Sequence, residues 1–202
     1  ELIEVATFRS GEDQNNNGNL IKDQSGKIIR DNIWGSLEQD SHRRDFTVNS
    51  IYYSPLSKKF VGHKDGLSDI HKKNIVSIGD PKKRFSEDPV RCLRAIRFSN
   101  KLDFKIDGKI KDAIYEKGHL LSSISNARLF DEFCKIFLNG MAEKNFKKLT
   151  SFGLNKYLVS TNPEKNEFTS RVIIEALRNT DKRLINSQSV TPGFLVAALL
   201  WP

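Results

Sequence analysis

Apolar residues recur every three or four positions through the second half of the chain, and this spacing predicts amphipathic helices. The helices are predicted at residues 106–117, 126–139, 141–152, 167–184 and 192–200. Gly118, Gly140 and Gly153 follow the first three of them, where glycine often ends a helix. One helix carries a strongly apolar face, made of Leu129, Phe130, Phe133, Ile136 and Phe137. Thr191 and Pro192 suit the cap and first position of the last helix.

The first third of the chain has the shorter apolar runs that are typical of β-strands. Residues 2–8 are mostly apolar and predict a strand buried on both faces, and shorter strands are predicted at 59–61 and 75–78. Residues 10–33 are rich in Asn, Gln, Gly, Asp and Lys, which predicts a long mobile loop. A carboxylate in a buried strand is rarely left without a partner, so Glu4 is either a metal ligand or a strand-edge residue that faces water.

Residues 34–53 combine core positions with a cluster of polar side chains. The residues that can face a core are Leu37, Phe46, Val48, Ile51 and Tyr53. The polar cluster consists of Arg43, Arg44, Asp45 and Asn49. Asp45 and Asn49 are four positions apart, so they share a face if the segment is helical. The cluster suits ribose hydroxyls and phosphates, and an internal salt bridge between Arg44 and Asp45 is the alternative.

A helix within residues 84–101 is the centre of the predicted structure. Asp88 and Pro89 suit its start, because an acidic side chain accepts from free N–H groups and proline lacks only a donor that would be unpaired there. Ser86 is an alternative cap. One stripe of the helix is apolar (Val90, Leu93, Ile96) and a second is basic (Arg91, Arg94, Arg97). The basic stripe with Asp88 is either a solvated face or a site for a base edge and phosphates, and the scarcity of acidic residues on the helix favours an anionic ligand.

The composition is that of a globular protein with a basic surface. Of the 202 residues 38% are hydrophobic, and 33 Lys and Arg against 25 Asp and Glu give a net charge of +8. This charge favours nucleic acid, nucleotide phosphates or an acidic membrane surface as partners. Cys92 and Cys134 show no C-x-x-C spacing, which indicates a reducing cytoplasm. The four histidines have no metal-ligand spacing, and no apolar run approaches the roughly 20 residues that cross a bilayer.

Several motifs, taken together and in this order, resemble one family. They are I-E-V-A-T-F-R (3–9), R-R-D-F-T-V-N-S (43–50), D-G-L-S-D-I (65–70), I-G-D-P-x-x-R-F-x-E-D-P-V-R-x-L-R-A-I-R-F (78–98) and A-R-L-F-D-E-F-x-K (127–135). The chain resembles the class II nucleotidyltransferases, which are the bacterial poly(A) polymerases and the tRNA CCA-adding enzymes. Within this family, residues 31–40, 49–54 and 191–202 are more similar to the bacterial poly(A) polymerases.

The resemblance implies an α+β fold: the C-terminal part of a mixed α/β nucleotidyltransferase head (residues 1–75), then an all-helical neck that selects nucleotide and binds RNA (76–140) and the start of a helical body (141–202). It also implies a cytoplasmic enzyme, without a membrane span, that adds AMP from ATP to RNA 3′ ends with Mg²⁺. The family's Asp-x-Asp metal pair does not occur in this chain. Because the sequence begins at Glu1 inside an apolar run and stops at Pro202 after another, we expect it to be a piece of a longer protein, inactive on its own.

The same resemblance assigns residues to roles. Glu4 matches the third carboxylate of the metal site; Arg44, Asp45 and Asn49 would hold ribose and phosphate. Asp88 and Arg91 would recognise the base, and Arg94 and Arg97 would contact phosphates. Asp65-Gly66 stands where the family often has two glycines, and Ile70 replaces the usual Leu. The alternative functions are a tRNA CCA-adding enzyme and a non-catalytic RNA-binding protein.

Overall fold

The computed structural model describes residues 5–9, 21–22, 28–30, 34–159 and 167–200. The chain divides into two compact units between Gly79 and Asp80. The first unit mixes short strands with short helices, and the second is mainly helical. The predicted α+β class is therefore confirmed, whereas the boundaries of head, neck and body stay predictions. Within the described ranges, no helix has both the length and the apolar character that a membrane span requires.

The described residues of the first unit form two antiparallel strand pairs and two short helices. Its elements are β1 (Ile21–Lys22), β2 (Ile28–Arg30), α1 (Leu37–Arg43), a 3-10 turn (Thr47–Asn49), β3 (Ile51–Ser54), β4 (Lys59–Gly62), α2 (Gly66–His71) and β5 (Asn74–Ile75). β1 pairs with β2, and β3 pairs with β4. Helix α1 begins at a capping box in which Ser36 accepts from the backbone of Gln39 and the Gln39 side chain accepts from Ser36.

The core of the first unit forms where the 3-10 turn meets α2. Phe46 is fully buried, and the Thr47 hydroxyl donates to Asp69 at 2.7 Å. A Cβ atom at Gly66 would lie 2.8 Å from Cγ1 of Ile51 and 2.9 Å from the carbonyl oxygen of Thr47. Only glycine therefore lets α2 pack this closely on the turn.

The structure corrects several expectations for this unit. Residues 5–8 form no strand and are exposed, because among the described residues this stretch has only the bridge of Arg9 to Trp34. Glu4 lies outside the described residues. Part of the predicted loop at 10–33 forms the β1–β2 hairpin, and the rest lies outside the described residues. The strand predicted at 59–61 is confirmed as β4.

Tyr53 was expected in the core but is 55% exposed. Successive side chains of a strand point to opposite faces, so in β3 it is the neighbouring Tyr52 that turns towards Asp40.

The second unit is built from helices that follow the predicted order. They are α3 (Pro81–Glu87), α4 (Val90–Leu102), α5 (Gly108–Lys117), α6 (Asn126–Phe137), α7 (Ala142–Ser151), α8 (Glu167–Ile185) and α9 (Pro192–Leu200), with the short strand β6 (Lys105–Ile106) and 3-10 turns at Gly118–Ser123 and Asn155–Tyr157. Their core includes the fully buried Leu93, Ile96, Ile136, Phe137 and Leu149. Helix α4 packs next to both α6 and α7, which places it at the centre of the unit.

The central helix begins where the sequence predicts, but it has an unpredicted neighbour. Helix α4 starts at Val90, directly after Asp88 and Pro89. Helix α3 precedes it and contains Ser86, so the prediction of Ser86 as an alternative cap is wrong. Asp80 begins α3 by accepting from the backbone N–H groups of Lys82 and Lys83.

Candidate functional site

Asp40 organises the paired arginines of the first unit. Its side chain is 2% exposed, and one oxygen accepts from Nε of Arg43 at 2.8 Å. The other oxygen accepts from Nη2 of Arg44 at 2.8 Å and from the Tyr52 hydroxyl at 2.5 Å. Burial raises the pKa of a carboxyl, but the hydrogen bonds from Tyr52, Arg44 and Arg43 outweigh it and hold the pKa of Asp40 well below its usual value. Asp40 therefore stays ionised and fixes both guanidinium groups.

The guanidinium group of Arg44 is bound by Asp40, but much of the Arg44 side chain is exposed to solvent. Both Nε and Nη2 donate to the same oxygen of Asp40, yet 42% of the side chain is exposed. Sequence reasoning paired Arg44 with Asp45 and missed Asp40. Its spacing of three and four residues from Arg43 and Arg44 was the available signal, since such pairs meet on a helix face.

Asp45 and Asn49 do lie together, as their spacing predicts. Oδ1 of Asp45 accepts from the backbone N–H of Phe46 and from Nδ2 of Asn49, each at 2.9 Å. The carboxylate is largely buried, and the side chain of Asn49 is half-buried. In the described part of the chain, no group donates to the amide oxygen of Asn49. That oxygen is therefore available to accept from a hydroxyl group.

Asp88 lies at the junction of α3 and α4, where it both caps a helix and binds an arginine. One oxygen accepts from the backbone N–H of Val90 at 3.3 Å. The other accepts from Nη2 of Arg128, on α6, at 2.8 Å. The cap and the ion pair together fix the orientation of the carboxylate. Sequence reasoning missed Arg128, because it lies 40 positions away and no local pattern connects the two.

Arg91 lies beside Asp88, which agrees with the sequence-based grouping of the two. Its Nη1 donates to the carbonyl oxygen of Arg84 at 3.2 Å, and its Nε lies 4.0 Å from Asp88. Glu87 is a further acidic neighbour, 3.7 Å from Nη1. The Arg91 side chain is only 15% exposed, so it is positioned rather than loosely solvated.

The other two arginines of the basic stripe pack on one aromatic ring. The guanidinium carbons of Arg94 and Arg97 lie 5.3 and 4.5 Å from the centre of the Phe98 ring, which is the distance range of cation–π contacts. Nε of Arg97 also lies 3.7 Å from the buried Glu132 of α6. Arg97 thus has a protein carboxylate as a neighbour, and the roles of Arg94 and Arg97 in phosphate binding stay predictions.

A magnesium site does not form among the described residues. No group of three or more His, Cys, Asp or Glu side chains in the described ranges could hold a metal ion. Asp40 and Asp45 are already engaged by nitrogen donors, which a metal would have to displace. Magnesium binding and the roles assigned to the site residues therefore stay predictions.

Comparisons with known proteins place these observations in a family. A family model described as "Poly A polymerase head domain" matches residues 1–76, and one described as "Probable RNA and SrmB- binding site of polymerase A" matches residues 103–167. Poly(A) polymerase I of Haemophilus influenzae is 39% identical over 100% of this chain and 46% of its own length. A CCA-adding enzyme of Pediococcus pentosaceus is 40% identical over 60% of this chain and 31% of its own length.

The chain is also similar to a solved structure from this family. The CCA-adding enzyme of Bacillus stearothermophilus in complex with CTP has 30% identity and a TM-score of 0.58, and the match covers 79% of this chain and 37% of that one. The chain spans less than half the length of the curated relatives named above. It belongs to the nucleotidyltransferase family that comprises the poly(A) polymerases and the CCA-adding enzymes.

Proposed function

We propose that the intact protein is a cytoplasmic poly(A) polymerase, which adds AMP residues from ATP to RNA 3′ ends without a template. The observation that carries the proposal is the extent of the matches. Similarity to poly(A) polymerase I of Haemophilus influenzae runs through the whole chain, whereas the similarity to the two CCA-adding enzymes named above covers 60% and 79% of it. The reaction would use Mg²⁺, and the remaining carboxylates that bind it would belong to the intact protein.

The first unit would hold the sugar and phosphates of ATP. Arg44 offers a guanidinium group that Asp40 keeps in place, and such a group suits phosphate oxygens. Asp45 and Asn49 offer oxygen acceptors, to which ribose hydroxyls can donate.

The second unit would select the base. Asp88 and Arg91 lie side by side at the start of α4 and present an acceptor and a donor, which match the hydrogen-bonding edge of adenine. Because Val90 and Arg128 fix the carboxylate of Asp88, one arrangement of acceptor and donor would persist. A fixed arrangement favours a single base, which suits polyadenylation.

A second candidate is the CCA-adding reaction, which the similarity to the CTP-bound structure supports. The full-length protein should be incubated with ATP and CTP, once with a generic RNA and once with a tRNA that lacks its 3′ end. Extended A-tracts on both RNAs, with no use of CTP, are expected. Addition that uses CTP and stops after three nucleotides would establish the CCA-adding function instead.

A further inference from the structure

Lys148 on α7 is a half-buried lysine with no acidic partner. Its ammonium group donates to Oγ of Ser99 at 2.5 Å and to Oδ1 of Asn100 at 3.3 Å, and no described carboxylate forms an ion pair with it. Neighbouring lysines of the same helix differ, because Lys144 pairs with Asp103 at 2.9 Å and Lys147 pairs with Glu143 at 2.7 Å. Lys148 therefore places a positive charge partly inside the unit without a direct ion pair among the described residues, although the more distant carboxylate of Asp103 acts on it.

A buried polar network holds Lys148 in place. The Ser99 hydroxyl donates to the carbonyl oxygen of Phe104 at 2.6 Å, which turns its lone pairs towards Lys148. The Asn100 amide donates to Asn145 at 2.8 Å, and Asn145 donates to the carbonyl oxygen of Ile136 at 2.7 Å. Ser99, Asn100 and Asn145 are all buried, so the two acceptors of Lys148 are rigid. Of the three donors of an ammonium group two are used, and the third is left for a ligand.

A purely structural role does not explain the charge. A neutral donor would satisfy Ser99 and Asn100 without the cost of partly burying an ion. Burial lowers the pKa of Lys148, the positive charges of Lys144 and Lys111 lower it further, and the negative charge of Asp103 offsets them only in part. An anion placed beside Lys148 would add to the compensation that Asp103 gives.

We propose that Lys148, with Lys144 and Lys111, binds a backbone phosphate of the RNA substrate. The proposal rests on the proposed function, in which RNA is the substrate and Asp88 marks the base of the incoming nucleotide. Ser99 lies about 14 Å along α4 from Val90, the residue that Asp88 caps, at about 1.5 Å per residue. That length corresponds to about four nucleotides of a strand at about 3.4 Å each. The site would therefore contact RNA upstream of the growing end.

The first test compares Lys148→Met with Lys147→Met in the full-length protein. Methionine keeps an apolar stem and removes the charge, and Lys147 is the matched control because Glu143 already offsets it. Binding of a 20-nucleotide oligo(A) is measured over a range of salt concentrations. Lys148→Met should weaken binding about three- to ten-fold and reduce the slope of log affinity against log salt by about 0.7, the value for one phosphate of a single strand. Equal slopes for the two variants would overturn the proposal.

The second test uses primer length and nucleotide affinity. Lys148→Met should raise the KM of AMP addition for a 20-nucleotide primer and leave the KM for a trinucleotide unchanged, because the short primer does not reach the site. A raised KM for ATP with an unchanged KM for RNA would assign Lys148 to the nucleotide and overturn the proposal. If no RNA is extended but the salt slope still falls, the phosphate site stands and the proposed polymerase activity fails.

Two further variants distinguish the loss of the Lys148 charge from a loss of folding. Lys148→Arg retains the charge and should retain most of the binding and the salt slope. If thermal melting shows that Lys148→Met does not fold, the exposed Lys111 is replaced by methionine instead. This variant should also lower the salt slope, and an unchanged slope would contradict the site.

Discussion

Asp40 and Asp88 both bind arginines, but they do so in opposite surroundings. The Asp40 side chain is 2% exposed and receives two guanidinium groups and a tyrosine hydroxyl. The Asp88 side chain is 23% exposed, and the Arg128 that binds it is 48% exposed. A buried carboxylate that lost its donors would keep its desolvation cost, whereas a partly exposed one can exchange partners with water or a ligand. Asp40 thus belongs to the framework, and Asp88 is suited to contact a ligand.

Among the substitutions proposed for these two carboxylates, the largest loss of stability is expected at Asp40. Asp40→Ala should lower the free energy of unfolding by about 2–4 kcal/mol, somewhat less than for a fully buried pair because Arg43 and Arg44 reach solvent. Urea unfolding followed by circular dichroism measures this. Glu38→Gln, on the exposed side of the same helix, is the control and should change stability by under about 1 kcal/mol.

The contribution of Asp40 to the free energy of unfolding should decrease in acid. The pKa of Asp40 is lower in the folded chain than in the unfolded one, so its contribution is complete above the ordinary carboxyl pKa of about 4 and is lost as the pH falls below it. The stability difference between wild type and Asp40→Ala should therefore shrink in acid. A difference that does not change between pH 7 and pH 3 would show that Asp40 is not the anchor described here.

A second prediction concerns selectivity at Asp88. Asp88→Asn keeps a capping oxygen for Val90, so stability should stay within about 0.5 kcal/mol. Preference for ATP over the other nucleotides should fall about ten-fold or more, since one acceptor becomes a donor and about 1–3 kcal/mol per mismatched bond is lost. Steady-state kinetics with each nucleotide in the full-length protein gives the ratio. A lower melting temperature with intact ATP preference would reduce Asp88 to a helix cap.

Helices with a strong apolar period could be predicted from the sequence because their signal is local. α6 and α7 follow the predicted ranges closely. α9 also follows its predicted range, but it is apolar nearly all round, and its signal was a continuous apolar run after Thr191 and Pro192. Helix α3 was not predicted, since its seven residues contain one large apolar side chain, Phe85, whose complete burial depends on tertiary contacts. Residues 5–8, the described part of the strand predicted at 2–8, form no strand for the complementary reason, since an apolar run becomes a strand only beside a partner strand.

The residue pairs of the candidate site also differ in whether the sequence alone could reveal them. Asp45 with Asn49 and Asp88 with Arg91 are neighbours along the chain, so their spacing was sufficient to group them. Arg128 lies on a helix remote in sequence from its partner Asp88, and no periodicity could reveal that pair.

A third prediction concerns sugar choice at Asp45, where burial is intermediate between the two compared carboxylates. Asp45→Asn leaves an oxygen that can still accept from Phe46 and Asn49. It replaces the second oxygen with a donor, so discrimination between ATP and dATP should fall about three- to ten-fold if that oxygen accepts from the 2′-hydroxyl. The ratio of kcat/KM for the two nucleotides measures it. An equal loss with both would instead indicate a structural role for Asp45.

The smallest effect is predicted for Arg128, and it is the sharpest test of the contrast with Asp40. Arg128→Met removes one exposed ion pair, which is worth under about 1 kcal/mol, so the melting temperature should stay within a few degrees of that of the wild type. The Asp88 carboxylate keeps its bond to Val90 but loses the donor that fixes its second oxygen. ATP preference should therefore fall two- to five-fold, about 0.4–1 kcal/mol. Lys82→Met, which removes the similarly exposed ion pair with Glu116, is the matched control and should leave ATP preference unchanged. Loss of stability comparable to that of Asp40→Ala would show that Asp88 and Arg128 also belong to the framework.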